Sequence, residues 1–175
     1  MNLKRQREML LAVEAAYGRA VLASHILERR LILHVSAWHA LRNRDLGAFK
    51  TMQDSLLKKP LGDIIRIGKA SGAFPDDAHE ALERARTLRN HLVHEITDSI
   101  LLKFFTKQGS SDIVAQLLGM ADDFEGISNE IAKMAYLCLD IAGVPINKLQ
   151  KHSRSLVRRL SQANSLEEVI AAKCR

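Results

Sequence analysis

Apolar residues recur at intervals of three and four along most of this chain, a spacing that predicts helices. In the N-terminal stretch the pattern runs through Leu10, Val13, Ala16 or Tyr17, Ala20, Val21, Ser24, Leu27, Leu31, His34 or Val35, and Trp38. It predicts one long helix over residues 3–41, weakened only at Gly18. A helix of that length is expected to form the spine of a bundle or a dimer contact. A second helix, over 45–58, stops before Pro60. Pro60-Leu61-Gly62 opens a third over 61–70, which Ser71-Gly72-Ala73 closes.

The fourth helix has the clearest start, Pro75-Asp76-Asp77, where a proline and two acids suit a first turn. It extends to about residue 101. Residues 104–111, around Gly109, read as a loop. A fifth helix over 112–142 ends at Gly143 and Pro145. A basic helix over 145–161 follows, then a short one over 165–173 that opens on the capping pattern Ser165-Leu166-Glu167-Glu168. No strand-like alternation occurs. The expected fold is all-α: a single-domain, up-and-down helical bundle over 1–142, with 143–175 as a basic extension packed on it.

Composition supports that picture. Of 175 residues, 47% are hydrophobic and 5% aromatic, which suits a helical globular domain. The formal net charge of +6 leans toward an anionic partner such as nucleic acid. Cys138 and Cys174 lie far apart with no paired-cysteine spacing, so free thiols in a reducing cytoplasm are expected. No stretch reads as a signal peptide or approaches the roughly 18–20 apolar residues of a membrane span.

The segment Leu88-Arg89-Asn90-His91-Leu92-Val93-His94-Glu95 breaks the pattern. At about 100° per residue, Ala78, Ala81, Leu82, Ala85, Leu88, Leu92, Val93, Ile96 and Ile100 share one arc. Arg89 lies inside that arc, and Asn90 and His94 share its edge. A guanidinium on an apolar stripe is unfavourable unless it is paired or needed. The plain explanation is a buried stem with its head paired to Glu14 or Glu28 on the first helix.

The other explanation is a site. Ala85-Arg86-Thr87-Leu88-Arg89-Asn90-His91-Leu92-Val93-His94 resembles the signature of HEPN domains, in which Arg, then a polar residue, precedes His across four to six positions. Pro60-Leu61-Gly62-Asp63-Ile64-Ile65 also looks like bacterial HEPN-type proteins of this size, and the resemblance covers about residues 3–142. It implies a compact helical bundle with metal-independent endoribonuclease activity, without cofactor, at a site shared across a homodimer. The implied setting is cytoplasmic, in toxin, stress or phage-defence systems, with RNA as substrate and an antitoxin-like protein as a further partner. Arg89 would hold the scissile phosphate, His94 would be general acid or base, and Asn90 would orient the imidazole. The chemistry suits the residues: histidine titrates near neutral pH, and arginine presents a permanent fork matched to phosphate. The chain departs from a toxin branch that carries tyrosine two positions after the histidine, since Ile96 stands there. Regulation through that tyrosine is therefore not implied. A non-catalytic module binding RNA, nucleotide or protein through the same groove is the alternative.

Lys148, Lys151, Arg154, Arg158 and Arg159 form a basic stripe, with no acid between Asp140 and Glu167. They are the candidate RNA-backbone contacts, giving salt-dependent and sequence-independent affinity. His91, His94, Glu95 and Asp98 lack the order of a zinc-helix motif, so no metal is expected. Cys138, among Tyr136, Leu137, Leu139 and Ile141, reads as a buried inert thiol.

Overall fold

The computed structural model describes residues 3–96 and 107–144. The described residues form helices and turns without a strand, so the protein is all-α as expected. Helix α1 spans Leu3–Asn43, α2 Leu46–Leu56, α3 Leu61–Ala70 and α4 Ala78–Asn90. A π-helical turn, His91–Glu95, continues α4, and α5 spans Lys107–Ile141.

Helices α1 and α5 form the spine. Arg19 meets Asp122, Arg30 meets Asn129, and Ala37 clusters with Cys138, so the two run parallel. Helix α4 runs antiparallel to α5, with Arg84 near Asp123 and His91 against Gln116. The order is therefore up, down, up, with α2 and α3 packed at the end where α1 finishes.

The core follows the three-four pattern. Val13, Ala16, Ala20, Leu27, Leu31 and Val35 of α1 are buried, and Leu117, Ala121, Phe124 and Ile131 of α5 lie in the same cluster. Each large aliphatic buried here contributes roughly 1.5–3 kcal/mol. Leu10, expected in this face, is instead 43% exposed.

Three helix ends share one device. The N–H groups of Gly72 and Ala73 bond to Lys69 O and Gly68 O, and those of Gly143 and Val144 to Asp140 O and Leu139 O. Both glycines have positive φ, the left-handed conformation this cap requires. Arg44 occupies the same place after α1, with N–H bonds from Arg44 to Leu41 O and from Asp45 to Ala40 O, at φ 53 without glycine's freedom. Asp45 then caps α2 by accepting from the Gly47 N–H at 2.8 Å.

Two expectations need correction. Residues 107–111 are helical, not loop: α5 starts at Lys107, and Ser110 is 2% exposed. Small residues there let α5 begin close beside α1, near Met9 and Ala12. Helix α1 also contains an 18-residue window long and apolar enough to cross a membrane by composition. Its apolarity is two-sided: Leu11, Leu22 and Ile26 are exposed opposite the core face, and their sum with that face raises the window. The segments expected as helices over 145–161 and 165–173, the extension 143–175 beyond Val144, and Ile100 and Asp98 lie outside the described residues.

Candidate functional site

The site lies where α4 gives way to the π turn. Leu82, Ala85, Leu92 and Ile96 are fully buried and hold this helix to the core. Ile96, the residue at the tyrosine position, is thus a core residue. Leu88 and Arg89 are half-buried, while Asn90 and His94 are exposed. Val93 departs from its expected arc and is 43% exposed.

The Ile96 N–H bonds to the His91 carbonyl five residues back, which is the mark of the wider turn. Such turns are rare, short and frequently found at functional sites. In a regular α-helix Arg89 and His94, five apart, are separated by about 140° around the axis. A turn that closes on the fifth residue draws such a pair toward one side. The spacing Arg89-Asn90-x-x-x-His94 and the backbone irregularity therefore act in the same direction.

His91 anchors this turn. Its Nδ1–H donates to Glu95 Oε2 at 2.7 Å, and its Nε2 accepts from the Gln116 side-chain amide at 2.9 Å. That pair of bonds fixes the tautomer and ties the π turn to α5. His91 is consequently committed, whereas His94 makes no hydrogen bond or ion pair among the described residues. In the sequence His91 and Glu95 read as a solvated charged edge rather than metal ligands, and nothing there points to Gln116. The one available signal was the four-residue His–Glu spacing, since the amide comes from a distant helix.

Arg89 has no carboxylate partner among the described residues. Glu28 lies 3.8 Å from His25, and Glu14 makes no ion pair among the described residues. The nearby acid on α4, Glu83, is engaged by Lys69 and Arg86, each at 2.8 Å. Those two bonds, Lys69 first, hold its carboxyl below the usual value. The pairing of Arg89 with Glu14 or Glu28 is therefore not found.

Arg89, Asn90 and His94 lie on the segment where α4 passes into the π turn, with the arginine half-buried and the other two exposed. Lys148, Lys151, Arg154, Arg158 and Arg159 lie outside the described residues. Among the described residues no three His, Cys, Asp or Glu side chains converge as a metal site would need. Cys138 is buried, which raises its thiol pKa and keeps it protonated. Comparison with protein-family models, curated proteins and solved structures gives no match.

Proposed function

We propose that this chain is a HEPN-like, metal-independent endoribonuclease acting as a homodimer. The observation that supports this reading is the half-buried Arg89, followed five residues later on the π turn by the exposed His94, neither with an ion pair among the described residues. Cleavage through the 2′-hydroxyl needs a base, an acid and a cation for the phosphorane. Arg89 supplies the cation, His94 the proton transfer, and Asn90 orients the imidazole or bonds a phosphate oxygen. At this segment one copy offers, among the described residues, a single imidazole without a hydrogen-bond partner, too few for both proton transfers. A second copy across a two-fold axis doubles each group. Lys148, Lys151, Arg154, Arg158 and Arg159 then contact the RNA backbone. A cytoplasmic role in toxin, stress or phage-defence systems, held in check by an antitoxin-like protein, goes with this reading.

The same observation defines the second reading. Because a lone copy holds one free imidazole, a monomer would bind RNA, nucleotide or protein without cleaving. Incubation with total RNA in EDTA separates the two. Fragments ending in 2′,3′-cyclic phosphate, made by the wild type and lost in Arg89→Ala and His94→Ala, support the enzyme. A mobility shift without fragments supports the binding module. Undiminished cleavage by both variants removes the site assignment altogether.

A further inference from the structure

The outward face of α1 carries an apolar strip. At about 100° per residue, Leu11, Ala15, Gly18, Leu22 and Ile26 share one arc, opposite the buried side of Val13, Ala20, Leu27 and Leu31. Leu11, Leu22 and Ile26 are 55%, 61% and 40% exposed. A single exposed leucine is ordinary, but large apolar side chains aligned over about four turns mark a surface that something covers. Ser36, further along the same arc, is fully buried where α2 packs on α1. The open stretch therefore ends before the closed end of the bundle.

Gly18 sits in the middle of the strip. Glycine inside a helix costs stability. Phe74 accounts for Gly68, since an added Cβ there would meet its ring, whereas a Cβ at Gly18 would meet nothing within 4 Å. Packing within the described chain gives Gly18 no role; the close approach of another helix would. Gly119 and Gly126 of α5 are equally open. Their neighbours a turn away include Asp122, Asp123 and Glu130 and no large apolar side chain, so they lack the strip that surrounds Gly18.

The strip complements itself when two copies cross antiparallel. With Ala15 opposite the partner's Gly18, Leu22 falls opposite the partner's Leu11, and the two-fold axis repeats both pairs. The small central pair lets the backbones approach, so the flanking leucines interlock. The charges agree with this direction. Arg7 comes near the partner's Glu28, and Glu8 near the partner's His25 and Arg29, while Glu14 falls opposite the partner's Val21. Glu28 has only a 3.8 Å contact with His25 in its own chain. Lys4 against the partner's Arg29 is the like-charged contact, at the outer end, with Glu8 one turn away. A parallel pairing would set Glu8 against Glu8 and Arg29 against Arg29. Arg19 and Arg30 stay out of the seam, because they bond to Asp122, Glu125 and Asn129 of α5.

We propose that the outward face of α1 is the contact for a second copy of this chain, crossed antiparallel at Ala15 and Gly18. The opposite side of α1 shares its core with Leu82 and Leu92 of α4. The contact is thus separate from any pairing across Arg89 and His94, and it does not depend on the ribonuclease reading.

Sedimentation of the full chain tests it. The mass should rise with concentration, and Leu22→Glu with Ile26→Glu should halve the largest species at an unchanged melting temperature. Cysteines then read the direction, in a Cys174→Ser background with Cys138 buried. Under oxidised glutathione, a mixture of Leu11→Cys and Leu22→Cys proteins should form a disulfide-linked dimer. Leu11→Cys alone should not, because its two copies stand roughly 16 Å apart along the seam. A mass that ignores the double glutamate variant overturns the proposal. So does linkage of Leu11→Cys alone without gain in the mixture, which means a parallel pair. Binding of the wild type but not the variant to phosphatidylcholine vesicles, with equal masses, would assign the strip to a membrane instead. RNA cleavage reports separately on the α4 segment, so either reading can fail without the other.

Discussion

The two ends of the bundle treat histidine in opposite ways. At the end capped by α3, His34 is buried, meets Phe74 at a tilt of 42° with ring centroids 5.3 Å apart, and donates its Nε2–H to Ala73 O at 2.7 Å. Burial lowers its pKa, against the smaller raising effect of that bond. Trp38 and Arg42 close the same end by donating to Ser71 O. At the other end, His94 is exposed and unbonded among the described residues, one π turn from a half-buried arginine. The contrast separates structure from chemistry. His34 lies on the core face of its helix and serves packing, while His94 lies at the edge of its helix and remains available.

The comparison is broken most forcefully at Gly68. A Cβ there would clash with the Phe74 ring, so Gly68→Ala must displace the aromatic that seals His34. Denaturant unfolding should show a loss of about 1–3 kcal/mol, the usual cost of overpacking, toward the upper end because the ring is buried. A loss below about 0.5 kcal/mol would mean the sealed end is loosely packed.

His34→Leu comes next. It leaves the Ala73 carbonyl without a donor, at a cost of about 1–3 kcal/mol at pH 8. The pH dependence has a definite sign. Because the folded pKa is depressed, the unfolded chain binds the proton first. His34 therefore makes the wild type lose stability as pH falls below about 6.5, by at most about 1.4 kcal/mol per pH unit. His34→Leu should flatten the unfolding midpoint between pH 6.5 and 5. An unchanged slope would place the acid sensitivity elsewhere.

At the α1–α2 turn, Arg44→Gly should stabilise by up to about 1 kcal/mol, since glycine adopts φ 53 without strain. A fall in melting temperature would show that the arginine side chain matters more than its backbone.

The smallest stability effects belong to the open end. Gln116→Leu removes one exposed bond to His91 and should cost about 0.5–1 kcal/mol. Under the proposed mechanism it should slow cleavage more than it weakens the fold, because it frees the π turn. Arg89→Ala and His94→Ala should each change stability by less than about 0.5 kcal/mol.

The sequence carried the long-range frame well. The three-four rhythm from Val13 to Val35 gave the buried face of α1, and Ser71-Gly72-Ala73 marked the end of α3 because only glycine fits that cap without strain. Gly109-Ser110-Ser111 misled: small polar residues signal loops locally, yet here they open a helix that packs closely on another. The Gly68–Phe74 contact was invisible because it depends on how the turn after α3 folds back. At the site, the triplet Arg89, Asn90 and His94 was legible as a spacing. The π turn and the His91–Gln116 tie were not, since one is a backbone register shift and the other joins residues on different helices. Val93 left its expected arc, which an unbroken helical period cannot anticipate.

The central claim is that the open end is the working end. The most direct measurement is RNA cleavage in EDTA by wild type and His94→Ala, both folded to the same melting temperature. Cyclic-phosphate fragments are expected from the wild type, with at least about a hundredfold loss in the variant. Equal cleavage by the two proteins would contradict it.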